Sequence, residues 1–387
     1  MTDGRAIYIV NGVTAFLFSS TGPVAIIIAV ASTMGLSDLH VASWLFAGFA
    51  VAGAVTLGFS IYYRMPIVFA WSIPGTVLLF SALDHLAFSD VVGAYLGTAF
   101  VILLVGISGF ATRILAWIPK PVVMAMVAGI FLDFGLKLVG AFTDAPLMAA
   151  LMVITFVLVS ASGKMQRLFP PILAALLVGA VVVVSKGSLQ DSGSLSGIFT
   201  TPVVFTPTFS LQAMLELVVP LAITVLMVQN AQGFAVLGSA GHRPPYHAMT
   251  NACGLGSILF AMLGAVPMCV TGPSNAILSG SGAREKQYIG GITYGVLAIV
   301  FGICSGLMAW LAFKLPPAYI AVLGGLAVFK VLERAFVAAF SGGYTLGALT
   351  TLLVTVSNIN LLSIGAPFWG LVFGTVVSAL LERNQGG

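Results

Sequence analysis

The chain has 387 residues, 59% of them hydrophobic and 7% charged, with a formal net charge of +4. A soluble domain carries about 25% charged residues, so a water-soluble globule is excluded and lipid must be the solvent for most of the length. The basic residues are scattered singly, which excludes a nucleic-acid partner.

Residues 7–34 are long and apolar enough to span, and no small-residue cleavage site follows them. They read as a first span rather than a cleaved leader. Further spans are predicted at 41–62, 65–84, 91–115, 120–140, 145–163 and 168–186. The stretch 187–210 is polar and rich in Gly, Ser, Thr and Pro, and it reads as a linker between two halves. Spans at 211–238, 247–265, 267–283, 289–313, 316–333, 342–360 and 365–382 bring the count to fourteen. With a cytoplasmic N-terminus this places Arg5, Arg64, Arg113, Lys120, Lys164, Arg167, Arg243, Arg284, Lys286, Lys330, Arg334 and Arg383 in the cytoplasm. Only Lys137, Lys186 and Lys314 fall outside, the bias of the positive-inside rule, and both termini are then cytoplasmic.

The halves resemble each other. Shifting by 197 residues takes Gly93 to Gly290, Gly109 to Gly306, Pro119 to Pro316 and Pro170 to Pro367. Upstream the shift drifts to about 200, where Pro66 and Pro74 meet Pro267 and Pro273. A unit of seven spans must insert its two copies in opposite senses. The expected architecture is therefore an all-α polytopic membrane protein with inverted repeats at 1–186 and 211–387.

In such proteins the substrate sits where interrupted helices meet near the midplane. Spans 3 (RMPIVFAWSIPGTVLLFSAL) and 10 (AVPMCVTGPSNAILSGSGA) each run from an extended apolar stretch through Pro-Gly or Gly-Pro into a short helix. Proline suits the first turn of a helix. The N–H groups near Gly75, Thr76 and Val77 then lack intrahelical acceptors, and an anion is a good partner for them. Pro273, Ser274 and Asn275 repeat the arrangement. The alternative is a proline kink repaired by a neighbouring hydroxyl. Span 1 carries Phe16, Phe18, Ser19, Ser20, Thr21, Gly22 and Pro23 at membrane depth, and span 8 carries Gln229, Asn230, Gln232, Gly233 and Phe234. Three amides within four residues of lipid-embedded helix call either for a cavity to line or for a helix to bond. Phe16, Phe69, Trp71 and Phe234 are candidates for apolar walls.

Ionisable residues inside the membrane are few. Asp133 stands four residues before Lys137, which places both on one face of span 5, as a local ion pair or a coupling site. Glu216 opens span 8 and reads as interfacial, as do Asp84 and His85. Asp133 and Glu216 are carried forward as proton-coupling candidates. Glu333, with Lys330 and Arg334, reads as a cytoplasmic helix end, and His40, His242 and His247 as solvated. Cys253, Cys269 and Cys304 have neither metal-ligand nor disulfide spacing and read as buried small hydrophobes. No nucleotide-binding or dinucleotide fingerprint is present, so neither an enzyme nor a cofactor is expected.

WSIPGTVLL in span 3, LMVQNAQGFAVLGSAGHRPP at the end of span 8 and TGPSNAI in span 10 resemble the BenE family of benzoate/proton symporters, and the likeness covers essentially the whole chain. The resemblance implies proton-coupled uptake of benzoate across the bacterial inner membrane. It also implies distant kinship with nucleobase/cation symporters and sulfate permeases. Those pack a core domain (spans 1–4 and 8–11) against a gate domain (spans 5–7 and 12–14), often as homodimers. By position it points to Ser72, Gly75, Thr76, Gln229, Asn230, Gln232, Pro273, Ser274 and Asn275 as substrate-binding residues, with Ser20 and Thr21 of span 1 added. The nucleobase branch uses acidic residues in its eighth and tenth spans. This chain has none mid-span there, which fits an anionic substrate, since a buried carboxylate would repel it. The remaining alternatives are a nucleobase or inorganic-anion permease of the same fold, and a passive channel or membrane receptor.

Overall fold

A computed structural model of the chain describes residues 5–83, 85–108, 119–163, 165, 170–189, 198–280, 282–359, 361 and 366–382. Asp84, Gly109, Arg113, Lys164, Arg167 and Arg383 lie outside them. The first half comprises α1 (Ala6–Thr33), α2 (Asp38–Tyr63), strand β1 (Phe69–Trp71), α3 (Ile73–Ala82), α4 (Phe88–Ser108), α5 (Lys120–Asp144), α6 (Pro146–Ala161) and α7 (Pro171–Ser185). The second comprises α8 (Leu211–Ser239), α9 (Tyr246–Met262), strand β2 (Met268–Val270), α10 (Gly272–Ser279), α11 (Tyr288–Ile303), α12 (Ser305–Phe313), α13 (Pro317–Phe340), α14 (Thr345–Val356) and α15 (Ala366–Leu381). Among the described residues, six helices are long and apolar enough to cross a membrane.

Helix packing repeats between the halves. α2 lies on α11 as α9 lies on α4, α6 pairs with α7 as α14 pairs with α15, and α5 meets α14 as α13 meets α6. Small residues make these contacts close, as expected where lipid supplies no hydrophobic drive between helices. A Cβ on Gly302 of α11 would stand 2.3 Å from the Ala50 nitrogen of α2, and one on Gly254 of α9 would stand 2.9 Å from the Leu103 backbone of α4.

Three sequence expectations need correction. The fold is not wholly α, because spans 3 and 10 each begin as a strand. The predicted span 289–313 breaks at Cys304 into α11 and α12, where Thr200 Oγ1 accepts the Gly306 N–H and Ser305 Oγ bonds to the carbonyls of Ala42 and Gly302. α13 runs on to Phe340, so Lys330, Glu333 and Arg334 lie within it. The charges were read as a stop, but no helix breaker occurs before Ser341 and Gly342. The described part of the linker 187–210 runs as a strap pinned to the helix ends. Its hydrogen bonds run from Thr200 N to Ile303 O, Val203 N to Ser43 Oγ, Phe205 N to Met262 O and Thr208 N to Ser89 O.

Candidate functional site

The two interrupted spans meet at β1 and β2. α2 ends at Arg64 in a left-handed conformation (φ 51°), and the chain turns through Pro66 into β1. The strands pair antiparallel with Phe69 opposite Val270, Ala70 opposite Cys269 and Trp71 opposite Met268. Ser72 N–H donates to Pro267 O and Thr271 N–H to Val68 O, so each strand makes the same bond to the other. In the membrane interior the remaining strand donors must be met by the protein. Thr56 Oγ1 accepts from Phe69 N–H, and Ser257 Oγ from Met268 N–H. Asn275 Oδ1 accepts from Val68 N–H at 2.9 Å, and Asn230 Oδ1 from Val270 N–H at 2.7 Å.

Each strand feeds a short helix with proline in its first turn. The two helix starts differ. Ser72 Oγ accepts the Gly75 N–H at 3.1 Å and donates to Thr224 Oγ1, so α3 is capped by its own side chain. Thr271, at the same place before α10, makes no side-chain cap. The N-terminus of α10 thus keeps its positive end without a side-chain cap.

A cavity of about 20 Å³, room for roughly one water, lies at this point, lined by Phe18, Ser19, Pro23, Ala70, Trp71, Ile73, Gln229, Thr271 and Pro273. None of these side chains is ionised. The indole N–H of Trp71 is buried with no hydrogen-bond partner among the described residues. The Cε3–Cζ3 edge of that ring packs on Gly48, which turns the N–H edge away from α2. Pro23 has no N–H, so the Ser19 carbonyl loses its usual partner within α1.

Of the residues singled out in the sequence, Phe18, Ser19, Pro23, Trp71, Gln229 and Pro273 line the cavity. Ser274 shares a 3.1 Å hydrogen bond with Ser19, tying α10 to α1. Gln232 lies against Gly272. Thr76 Oγ1 donates back to Ser72 O, while Ser20 and Thr21 donate to Leu17 O in their own helix. Gly75 was read as a point of close approach for backbone or ligand, and a Cβ there would meet Leu221 and Val266 at 2.9 Å, while Ser72 takes its N–H. Phe16 packs on Phe49, Tyr294 and Phe301, and Phe234 on Tyr246, away from the lining. Thr271 and Ile73 were not singled out. The shift of 199 that carries Pro74 to Pro273 also carries Ser72 to Thr271 and would have found it.

The ionisable candidates lie elsewhere. Glu216, expected at an interface, is buried in a π-helical turn of α8 and accepts from His85 Nε2 at 2.9 Å. His242, expected in solvent, is buried and bonds Gln287 at 2.8 Å, which in turn donates to Ser279 O at the end of α10. Asp133 and Lys137 form the expected i, i+4 ion pair at 2.9 Å. They line a second cavity of about 540 Å³ between Met34 of α1, Val77 and Phe80 of α3, α5, and the facing ends of α14 and α15.

The sequence profile of the BenE family, described as benzoate membrane transport protein, matches residues 3–380. The chain belongs to the BenE family. It is 30% identical over 384 residues to the benzoate membrane transport protein of Acinetobacter baylyi, covering 97% of this chain and 95% of that one. It is 27% identical to the inner membrane protein YdcO of Escherichia coli, with 97% and 96% covered. Among solved structures it is similar to SLC26A9 (TM-score 0.68, 12% identity), covering 97% of this chain but 64%, under two thirds, of that one. It is also similar to the transmembrane domain of the cyanobacterial bicarbonate transporter BicA (TM-score 0.61, 13% identity), with 98% of both covered. This BenE chain is thus a multi-pass helical membrane transporter whose fold is shared with anion transporters.

Proposed function

We propose that this BenE transporter carries benzoate, or a similar small aromatic carboxylate, together with protons across the bacterial inner membrane. The observation that carries the reading is the strand crossing. A neutral cavity sits at the uncapped start of α10, with Gln229, Thr271 and Trp71, whose N–H is unpartnered among the described residues, on its walls. A carboxylate suits those donors, and Phe18, Ile73 and Trp71 suit a ring. At about 20 Å³ the cavity is too small for an aromatic ring, so admission requires the half-helices to move against their neighbours.

The two-fold bonding of the strands and the repeated helix pairing support fourteen crossings as a seven-plus-seven inverted repeat. The same packing supports a core of α1–α4 and α8–α12 moving against a gate of α5–α7 and α13–α15, joined mainly through α1. Homodimerisation and cytoplasmic termini complete the reading. Asp133 and Glu216 are its coupling candidates, because an inside-negative potential opposes entry of an uncompensated anion.

The test is uptake of labelled benzoate into proteoliposomes, with and without an imposed inside-alkaline pH gradient. Accumulation above equilibrium that collapses with a protonophore is expected. Equilibration alone would make the protein a channel, and saturable binding without flux a receptor. The similarity to BicA supplies a second reading, an inorganic-anion permease, which bicarbonate uptake insensitive to benzoate would favour.

A further inference from the structure

The larger cavity differs chemically from the one at the strand crossing. At about 540 Å³ it falls in the range of small-molecule sites, roughly 300–1,000 Å³. Its charged lining residues are Asp133 and Lys137, one turn apart on α5. Lys137 Nζ lies 2.9 Å from Asp133 Oδ2 and 4.0 Å from the centre of the Phe80 ring. A cation held beside an aromatic face, in a cavity that mixes aliphatic walls with the polar Thr355 and Asn358, is chemistry suited to an aromatic carboxylate.

We infer that this vestibule is a second, separate site that captures the aromatic carboxylate, whose carboxylate group displaces Asp133 from Lys137 as Asp133 takes up a proton. The inference rests on the substrate class proposed above. Charge balance is its physical basis. The resting ion pair is neutral. An anion bound alone would leave a net charge of −1 beside the Asp133 carboxylate, and a proton bound alone would leave Lys137 without a counter-charge. With both bound, the proton sits on the Asp133 carboxyl, the ligand's carboxylate pairs with Lys137, and the vestibule is neutral again. Two carboxylates a few ångströms apart beside one lysine repel even at a half-exposed site, so each ligand favours the other.

Both side chains remain open to solvent, Lys137 at 39% and Asp133 at 54%, so proton and anion reach them directly. Among the described residues, α1, α3, α14 and α15 present no other titratable or charged group to the vestibule. Lys330, Glu333 and Arg334 of α13, which packs along α5, line no part of it. Val77 in the vestibule wall is one helical turn beyond Ile73 in the wall of the smaller cavity. The two cavities therefore share α3 as a wall.

The experiment compares full-length wild type, Lys137→Gln, Asp133→Asn and the double variant. Benzoate binding is measured calorimetrically over a range of pH, and initial uptake rates in proteoliposomes. Uncharged benzamide is the control, and the thermal midpoint reports folding. Lys137→Gln is expected to raise the KM for benzoate about fivefold, as for a partly exposed ion pair, while leaving the maximal rate and any benzamide binding unchanged. Asp133→Asn mimics the protonated acid. It is expected to tighten benzoate binding at neutral pH and to remove most of the weakening seen as pH rises. Wild-type KM in a stably folded Lys137→Gln variant, or an undiminished pH dependence in Asp133→Asn, would overturn the vestibule site while leaving the transport reading intact. Wild-type protein that neither binds nor carries benzoate would remove both.

Discussion

At the scale of single residues, the amide cluster of α8 and the half-helix α10 divide into two jobs. Asn230 and Asn275 are fully buried, and each spends its carbonyl oxygen on a strand N–H that lipid cannot satisfy. Gln229 faces the cavity instead. Asn275→Ala and Asn230→Ala are therefore expected to cost about 1–3 kcal/mol each, the penalty of an orphaned buried donor, read as a lower thermal midpoint in detergent. Gln229→Ala is expected to keep the midpoint and weaken benzoate binding. Equal midpoints in all three variants would sink the distinction. Trp71→Phe keeps the ring but removes an unspent N–H. It is expected to lower benzoate affinity about tenfold, the worth of one hydrogen bond to a charged acceptor, as read by calorimetry. The sequence showed that three amides at membrane depth need partners. Which amide serves backbone and which faces the cavity depends on how β2 docks beside α8, and that contact joins residues 40 apart in the chain.

At the scale of elements, the half-helices were legible because proline and glycine announce an interrupted helix whatever surrounds it. The antiparallel strands before them were not, since three-residue strands are fixed by the partner strand some 199 residues away rather than by local propensity. The capping difference between α3 and α10 follows from one hydroxyl that turns inward and one that does not. Ser72→Ala is expected to cost about 1 kcal/mol of stability, the usual worth of a helix cap, whereas Thr271→Ala should cost almost none and show its effect in benzoate affinity. A thermal midpoint lowered equally by both would mean that Thr271 also caps. Gly75→Val should fail to fold rather than fold and fail to transport, because Leu221 and Val266 already occupy the space. A well-folded, inactive Gly75→Val protein would return that position to the ligand.

At the scale of the whole molecule, sidedness links the charge pattern to the vestibule. α1 ends at Met34 in the vestibule wall, and α5 reaches Lys137 there on its way towards Asp144. Lys186, which caps α7, and Lys314, which follows α12, are the other two basic residues that the positive-inside bias assigns to the outer side. If that bias sets the orientation, the vestibule opens outward, and a substrate arriving from outside meets Lys137 before it meets the strand crossing. The orientation of the vestibule can be tested without any substrate. Leu136 is an exposed vestibule residue beside Lys137. Of the native cysteines, Cys253 and Cys269 are buried and Cys304 is half-buried, so Cys304→Ser provides a quiet background. In that background Leu136→Cys should react with a membrane-impermeant maleimide in intact cells and stay unlabelled in inverted vesicles. The reverse pattern would turn the protein over in the membrane. The vestibule would then be an exit, and capture at Lys137 would act on substrate leaving the strand crossing instead of entering it.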